Sequence, residues 1–190
     1  MAELTEIRWH GRGGQGVVTA GELLAEAALE EGKYFQAFPD YGPERMGAPI
    51  RAFTRFSDRP IDLHCQIVTP DVVVVLDPTL LGVVDVVEGL KDDGVLVVNT
   101  AETPAQVRAI TGWDKGKVYT VDATRIALDL FGRAITNTPM IGALLRAVDV
   151  VSMDGVIAQV RARFAGKLKT DAIEANVQAL KRAHDEAIQG

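Results

Sequence analysis

The stretch Gly11-Arg12-Gly13-Gly14-Gln15-Gly16 constrains the fold of this chain more than any other part of it. It follows Glu6 to His10, a short alternating segment typical of a strand with one buried face. From Val17 the apolar residues recur at helical spacing until Gly32. A glycine turn between a strand and a helix lets backbone N–H groups approach an anion at the positive end of the helix dipole. The sequence therefore predicts a phosphate-binding turn at the start of an α/β unit.

Five further segments have the composition of β-strands. They are Tyr34 to Phe38, Ile50 to Ser57, Asp71 to Leu76, Val95 to Val98 and Val118 to Val121. The arginine and apolar residues of Ile50 to Ser57 alternate, which predicts a strand that could run antiparallel to its neighbours. The uninterrupted valine runs are instead typical of strands that helices bury on both faces.

Helical spacing accounts for most of the remaining chain. The segments are Leu80 to Leu90, one beginning at Thr103-Pro104, Ala123 to Phe131, Pro139 to Val150, Asp154 to Phe164 and Thr170 to Ile188. No strand is predicted after Asp122. Alternating strands and helices followed by helices alone predict a three-layer, Rossmann-like α/β fold. We expect a mostly parallel sheet with an antiparallel strand, a helical C-terminal third, and a single domain over residues 1–190.

Charge, hydropathy and cysteine content exclude several classes of function. Lys and Arg number 20 against 26 Asp and Glu, a formal charge of −6, so no basic field would attract nucleic acid or an anionic membrane. The apolar runs are far shorter than the about 18 residues of a spanning helix, and no signal-peptide pattern is present, which favours the cytoplasm. The single cysteine, Cys65, cannot hold an iron–sulfur cluster, which takes about four thiolates, and we expect it to be buried.

Three arginines could assist the glycine turn. Arg12 lies within it, while Arg45 and Arg51 lie in and just after a proline- and glycine-rich loop, Pro39 to Pro49, which also contains Asp40. A guanidinium pairs phosphate oxygens bidentately, so these residues are candidate donors to a polyphosphate. The alternatives are a turn that serves only helix packing, and arginines engaged by solvent or ion pairs. His10 is expected to be a satisfied histidine at a strand end.

Two other features bear on the ligand. A nicotinamide-dinucleotide site needs an acid about 20 residues after the glycines, at the end of the second strand. Asp40 is the only candidate, and it falls beyond the predicted strand, so phosphate binding is favoured over NAD binding. Asn137-Thr138-Pro139 precedes an apolar helix and predicts a cap at Asn137 or Thr138. With no nucleophile turn, metal-ligand spacing or carboxylate pair in the sequence, we predict no catalytic and no metal-binding residues.

Three segments together resemble one protein family. They are Gly11 to Gly21, the loop from Tyr41 to Pro49 with the following Arg51-Ala52-Phe53-Thr54-Arg55, and Asn137-Thr138-Pro139-Met140-Ile141-Gly142-Ala143-Leu144. In combination they are similar to the gamma subunit, or gamma domain, of 2-oxoacid:ferredoxin oxidoreductases. The similarity extends over essentially the whole chain, and Gly47-Ala48-Pro49 is most like the pyruvate-type subunits.

The resemblance implies an oxidoreductase subunit that is not catalytic alone. In that family a 2-oxoacid is decarboxylated with thiamine diphosphate and magnesium, 4Fe–4S clusters pass electrons to ferredoxin, and coenzyme A (CoA) receives the acyl group; the reverse reaction fixes CO2. It implies that these cofactors lie on alpha, beta and delta partner subunits, and that the gamma subunit contributes to CoA binding. Gly11 to Gly16 with Arg12, Arg45 and Arg51 is then the expected CoA site.

Two alternative hypotheses stay open. The chain could be an assembly scaffold whose glycine turn serves only packing, or a stand-alone NAD-dependent dehydrogenase, which the glycine spacing alone suggests. Contact between CoA and this chain distinguishes the main hypothesis from the first alternative. Binding of NADH to the isolated chain distinguishes it from the second.

Overall fold

The computed structural model describes residues 4–40 and 47–190 of the chain. Seven strands and six helices lie within these ranges: β1 (Thr5–Arg12), α1 (Val17–Glu30), β2 (Tyr34–Asp40), β3 (Pro49–Ser57), β4 (Val72–Val75), β5 (Val95–Asn99), α2 (Pro104–Thr111), β6 (Lys117–Val121), α3 (Ala123–Phe131), α4 (Asn137–Ala147), α5 (Met153–Phe164), α6 (Thr170–Glu186) and β7 (Ile188–Gln189). The predicted loop residues 41–46, which include Arg45, lie outside the described residues.

All seven strands form one sheet in the order β2-β3-β1-β4-β5-β6-β7. The four central strands β1, β4, β5 and β6 run parallel to one another. Strand β3 is antiparallel to both β1 and β2, and β7 is antiparallel to β6. The mostly parallel sheet is therefore confirmed, and Ile50 to Ser57 is the predicted antiparallel strand.

The two faces of the sheet are covered differently. One face packs Ile7, Trp9, Val72 and Val74 against α1 and the helices α3 to α6. The opposite face packs Val73 and its neighbours against α2 and the irregular segment 78–91. Because adjacent residues of a strand point to opposite faces, the valine runs of β4 and β5 contribute to both cores. Three layers result, with the helical C-terminal third on one side.

The predicted helix from Leu80 to Leu90 is wrong. Only a short 3-10 turn, Pro78–Leu80, forms there, and turns follow it. Arg8 donates hydrogen bonds to the carbonyl oxygens of Val86 and Glu88, at 3.1 and 2.6 Å. Gly82 and Gly89 have positive φ, at 78° and 68°, which a right-handed helix does not allow. The buried guanidinium of Arg8 thus binds carbonyl groups of this segment, and the two left-handed glycines interrupt the helical backbone geometry.

The expectation that no strand follows Asp122 is also wrong. Helix α6 ends at Glu186, and Ile188–Gln189 pairs with the outer edge of β6. The backbone groups of Gly190 and Val118 exchange two hydrogen bonds, at 2.9 and 3.2 Å. An exposed strand edge presents unpaired backbone groups, and this short strand satisfies them.

Within the described part of the chain, no helix is both long and apolar enough to cross a membrane.

Candidate functional site at the glycine turn

The glycine turn lies at the point in the sheet where connections to one side give way to connections to the other side. After β1 the chain passes through α1, on one face, towards β2. After β4 it passes along the opposite face, through Leu80 and Val86, towards β5. Since β1 and β4 are parallel neighbours, their carboxyl ends open into a crevice at this reversal. In open α/β sheets this crevice is where ligands bind.

Left-handed glycines join β1 to α1. Gly14 and Gly16 have φ values of 95° and 76°, and Gly16 is the N-terminal cap residue of α1. No side chain caps α1, so the described residues leave the N–H groups of its first turn open to an acceptor. Helix α1 spans 14 residues, and its dipole directs positive charge to the turn. The backbone geometry therefore suits an anion.

Arg12 is already engaged in the ligand-free protein. Its Nε lies 3.2 Å from Oδ2 of Asp77, its Nη2 donates to Oγ1 of Thr79 at 2.8 Å, and its Nη1 donates to the carbonyl of Gly47 at 3.1 Å. The side chain is 30% exposed, so a ligand can reach it. Arg12 is therefore paired with Asp77 and also partly open to solvent.

Asp77 is the site residue that sequence reasoning missed. It lies two residues beyond the end of β4 and accepts hydrogen bonds from Nε2 of Gln15, at 2.6 Å, and from the backbone and hydroxyl of Thr79. Burial opposes its ionisation, but the bonds from Thr79 and Gln15 and the charge of Arg12 outweigh burial and lower its pKa. An acid directly after a buried parallel strand was the available signal, because such residues lie at the ligand edge of the sheet.

Gln15 holds the turn together. Its Oε1 accepts a hydrogen bond from the backbone N–H of Arg12 at 2.7 Å, while its Nε2 donates to Asp77. Gly13 exchanges backbone hydrogen bonds with Gly47 and Ala48, which join the turn to the start of β3. Gln15 is therefore a structural member of the turn, and its side-chain amide is satisfied before any ligand arrives.

The structure separates Asp40 from the turn, whereas Arg51 lies on β3, opposite His10 of β1. Asp40 is the last residue of β2, not a loop residue as predicted, and its carboxylate lies 2.7 Å from Nη2 of Arg51. Strand β3 lies between β2 and β1, whereas a dinucleotide site has its acidic strand next to the glycine strand. Asp40 is thus two strands away from the glycines and already paired, which disfavours NAD.

His10 is a satisfied, buried histidine, as predicted. It is 2% exposed, and its Nε2 accepts a hydrogen bond from Nε of Arg8 at 3.0 Å. Burial, then the charges of Arg8 and Arg51, lower its pKa to about 3. The side chain is neutral at physiological pH and serves as an acceptor.

The prediction of a buried Cys65 is wrong, because this residue is exposed. It lies in the irregular segment between β3 and β4, where its carbonyl accepts a hydrogen bond from the buried Arg55 at 2.8 Å. Nη2 of Arg55 also lies 3.8 Å from Sγ of Cys65, so both the backbone and the thiol of this residue contact β3.

The Asn137 motif reaches the glycine turn. The cap residue of α4 is Thr136, with no side-chain cap bond, so the predicted cap at Asn137 or Thr138 is wrong. Asn137 instead packs on Gly16, where an added Cβ would lie 2.7 Å from its Nδ2. Its Oδ1 is buried without a hydrogen-bond partner among the described residues. The space that a Gly16 side chain would need is thus filled by α4.

The strand order and the covering helices define a Rossmann-like α/β fold, with a crevice at the carboxyl ends of β1 and β4. Within residues 4–40 and 47–190, no group of three or more His, Cys, Asp or Glu is placed to hold a metal ion. The model of the pyruvate ferredoxin/flavodoxin oxidoreductase family matches residues 6–186. The chain belongs to this family, as a gamma subunit of a pyruvate or 2-oxoacid:ferredoxin oxidoreductase.

Relatives and solved structures agree with this assignment. Pyruvate synthase subunit PorC of Thermotoga maritima is 50% identical over 181 residues, covering 95% of this chain and 93% of the relative. The common gamma subunit of the pyruvate/ketoisovalerate oxidoreductases of Thermococcus kodakarensis is 48% identical, covering 97% and 98%. The crystal structure of the pyruvate oxidoreductase subunit PORC from Thermotoga maritima superposes with a TM-score of 0.89 at 47% identity, covering 99% of both chains.

A more distant structure shares the fold. The 2-oxoglutarate:ferredoxin oxidoreductase of Magnetococcus marinus, with 2-oxoglutarate, coenzyme A and succinyl-CoA bound, matches with a TM-score of 0.78 at 19% identity. The match covers 96% of this chain and 31% of that one. At this identity the likeness concerns the fold alone.

Proposed function

We propose that this chain contributes the CoA-binding surface of its oxidoreductase, through Gly11 to Gly16 assisted by Arg12. The observation that carries the proposal is the uncapped N-terminus of α1, which follows a left-handed glycine at the reversal point of the sheet. A diphosphate is the natural ligand of such a turn, because N–H groups and the helix dipole both favour an anion there. The fold shared with a protein whose structure contains bound CoA makes CoA the ligand to test.

The redox chemistry belongs to partner subunits in this proposal. One cysteine in the chain cannot ligate a 4Fe–4S cluster, so the clusters, together with thiamine diphosphate and magnesium, would lie on alpha, beta and delta subunits. When bound there, these groups supply decarboxylation and electron transfer to ferredoxin. This chain's own residues bind and orient CoA and dock the partners in the cytoplasm. We take pyruvate as the substrate, converted to acetyl-CoA and CO2 or formed by the reverse reaction, since the relatives carry that name.

The test uses the reconstituted complex with Arg12→Ala. We expect the KM for CoA to rise about tenfold, because a charged hydrogen bond to phosphate is lost. Arg161→Ala is the matched control, since Arg161 also pairs with a carboxylate, Glu174, on the surface of α5. Its KM should equal that of the wild type.

Two results would contradict the proposal. An unchanged KM in an assembled Arg12→Ala complex, together with no contact between CoA and this chain, would support a pure scaffold. Specific binding of NADH to the isolated chain at micromolar concentration would support a dehydrogenase, and the position of Asp40 leads us to expect none.

A further inference from the structure

Strand β2 forms an open edge of the sheet. Among the strands that the structure describes, β2 pairs only with β3, whereas the opposite edge of the sheet is covered by β7. Proteins ordinarily protect such an edge with charged side chains, prolines or a covering segment, because its backbone groups can pair with another chain. Residues 34–38 contain no charged side chain and three aromatic ones, and Tyr34 is 48% exposed. The first five positions of β2 therefore lack the charges that keep other strands away.

Pro39 indicates which backbone groups of β2 face the open edge. A proline is accommodated within a strand where its missing N–H would point away from the neighbouring strand. Residues two apart in an antiparallel strand have the same orientation, so the N–H and carbonyl groups of Phe35 and Ala37 also point to the open edge. The backbone groups of Gln36 and Phe38 point to β3 instead. Two residues of β2 can thus exchange hydrogen bonds with an added strand.

A groove of about 310 Å³ lies beside this edge. It is lined by Gln36, Ala37, Phe38, Leu63 and His64. Nε2 of Gln36 donates to the carbonyl oxygens of Ile61 and Leu63, at 3.3 and 2.9 Å, and so holds residues 61–63 against β2. The side chain of Leu63 is 42% exposed. When a peptide adds to a sheet edge, backbone pairing supplies affinity and alternate side chains enter pockets of this kind.

The small size of the edge indicates which kind of chain covers it. Two copies of this chain paired through β2 would share only residues 34–38 of each copy and the groove beside them, since Pro39 has no N–H. A stable interface between separate proteins takes about 20–30 residues on each side. A subunit that is already bound elsewhere in the oxidoreductase supplies its segment at a high effective concentration, so a short contact is sufficient. As a gamma subunit, this chain has such partners.

We propose that β2 is a docking edge, to which a partner subunit of the oxidoreductase adds an extended, apolar segment as an eighth strand. The backbone of that segment pairs with Phe35 and Ala37, and one of its apolar side chains enters the groove beside Leu63. The contact does not require a ligand at the glycine turn.

Hydrogen–deuterium exchange at single-residue resolution tests the backbone pairing, in the isolated chain and in the assembled oxidoreductase. We expect the amides of Phe35 and Ala37 to exchange about tenfold more slowly in the assembly, or slower still. The amides of Gln36 and Phe38 are internal controls, because β3 protects them in both samples. Equal exchange of Phe35 and Ala37 in the two samples would overturn the inference.

Ala37→Pro removes one donor from the open edge and leaves the hydrogen bonds to β3 in place. We expect the dissociation constant between this chain and the rest of the complex to rise about tenfold, as measured by surface plasmon resonance. Ala37→Ser keeps the N–H at the same position and is the matched control, which should bind as the wild type does. Circular dichroism verifies that both variants fold. A folded Ala37→Pro chain with unchanged affinity would contradict the proposal.

Leu63→Asp tests the groove without altering the backbone of β2. A charge in the groove should also weaken binding to the partner subunits about tenfold. Leu128→Asp, at a leucine of α3 that is 49% exposed, is the control and should leave binding unchanged. Equal affinities of the two variants would show that no partner segment occupies the groove.

Sedimentation of the isolated chain distinguishes a partner subunit from a second copy. We expect a monomer at micromolar concentration, because the edge is too small to hold two copies together. A dimer that Ala37→Pro converts to monomers would overturn the proposal in favour of pairing between two β2 strands.

Discussion

Single residues set the charge balance near the glycine turn. Arg8 is 2% exposed, and burial together with the charge of Arg51 lowers its pKa, although Glu88 and Asp85 act in the opposite direction. A protonated His10 would add a further positive charge within hydrogen-bond distance of this guanidinium. His10 is therefore neutral in the folded protein, whereas in the unfolded chain its pKa is about 6.5.

We predict a histidine-dependent loss of stability in acid. Between the folded pKa of about 3 and the unfolded value, the unfolded chain binds more protons, so stability falls as pH decreases. From pH 7 to pH 5 the contribution is about 2 kcal/mol. His10→Gln keeps an acceptor for Arg8 but does not titrate. Between pH 7 and pH 5, the free energy of unfolding of this variant should therefore fall by about 2 kcal/mol less than that of the wild type. Urea unfolding at both pH values measures this, and parallel pH dependences in the two proteins would contradict it.

Residue-level prediction could locate the glycine turn, because the turn is formed by neighbours in sequence. The glycine spacing and Arg12 were found from one short stretch, and the structure places them at the expected edge of the sheet. Asp77 was missed because it meets Arg12 only through the pairing of β1 with β4, 65 residues later in the chain. The role of Asn137 was missed for the same reason, since a helix-cap motif does not reveal which turn the helix start will contact.

At the scale of elements, α4 and α6 are in close contact at Gly142. A Cβ added to Gly142 would overlap the carbonyl oxygen of Leu180. An alanine in a helix is ordinarily favoured over glycine by about 1 kcal/mol, so the close contact explains why the smaller residue stands here. The contact also positions the start of α4, and with it Asn137, against the turn.

We predict effects of different size for alanine substitutions at two helical glycines. Gly142→Ala should destabilise the protein by about 1–3 kcal/mol, because the backbone of α6 cannot yield without repacking. Gly155→Ala, in α5, meets only the ends of the Glu31 and Ser152 side chains and should change stability by less than 1 kcal/mol. Chemical denaturation of both variants measures the difference, and an equal effect would argue against a tight α4–α6 contact.

Element prediction was accurate where hydrophobic pattern decides structure. The valine runs became β4 and β5, and Thr103 with Gln106 forms the capping box that starts α2. It failed over Leu80 to Leu90, where spacing suggested a helix but the carbonyls of Val86 and Glu88 bind Arg8. A guanidinium from a distant strand is not visible in the local pattern.

At the scale of the whole molecule, the two edges of the sheet differ. Strand β7 covers β6, and Tyr119 donates to Oε1 of Gln189 at 2.6 Å. Arg108 donates to the carbonyl of Gly190 at 2.9 Å, which ties α2 to the same edge. The opposite edge strand, β2, pairs only with β3 among the described strands.

We predict that removing residues 188–190 destabilises the protein by about 2 kcal/mol, since several hydrogen bonds to β6 are lost. For a chain of this size the midpoint of thermal unfolding should fall by roughly 4–8 °C. Gln189→Ala keeps the backbone pairing, so its loss of stability should be less than half of that caused by the truncation. Calorimetry tests both, and an unchanged midpoint for the truncated chain would show that β7 contributes nothing to the sheet.

The arrangement of the site across the chain also determines when it can form during synthesis. The glycine turn is translated before its partners Ala48, Asp77 and Asn137, which follow it at increasing distances along the chain. At about 5–20 residues per second, the delay is on the order of ten seconds, and pairing over such separations is intrinsically slow. A nascent chain that stops before α4 would contain every glycine of the turn and still lack the finished crevice. The glycine turn is thus complete only after segments that are translated much later have folded.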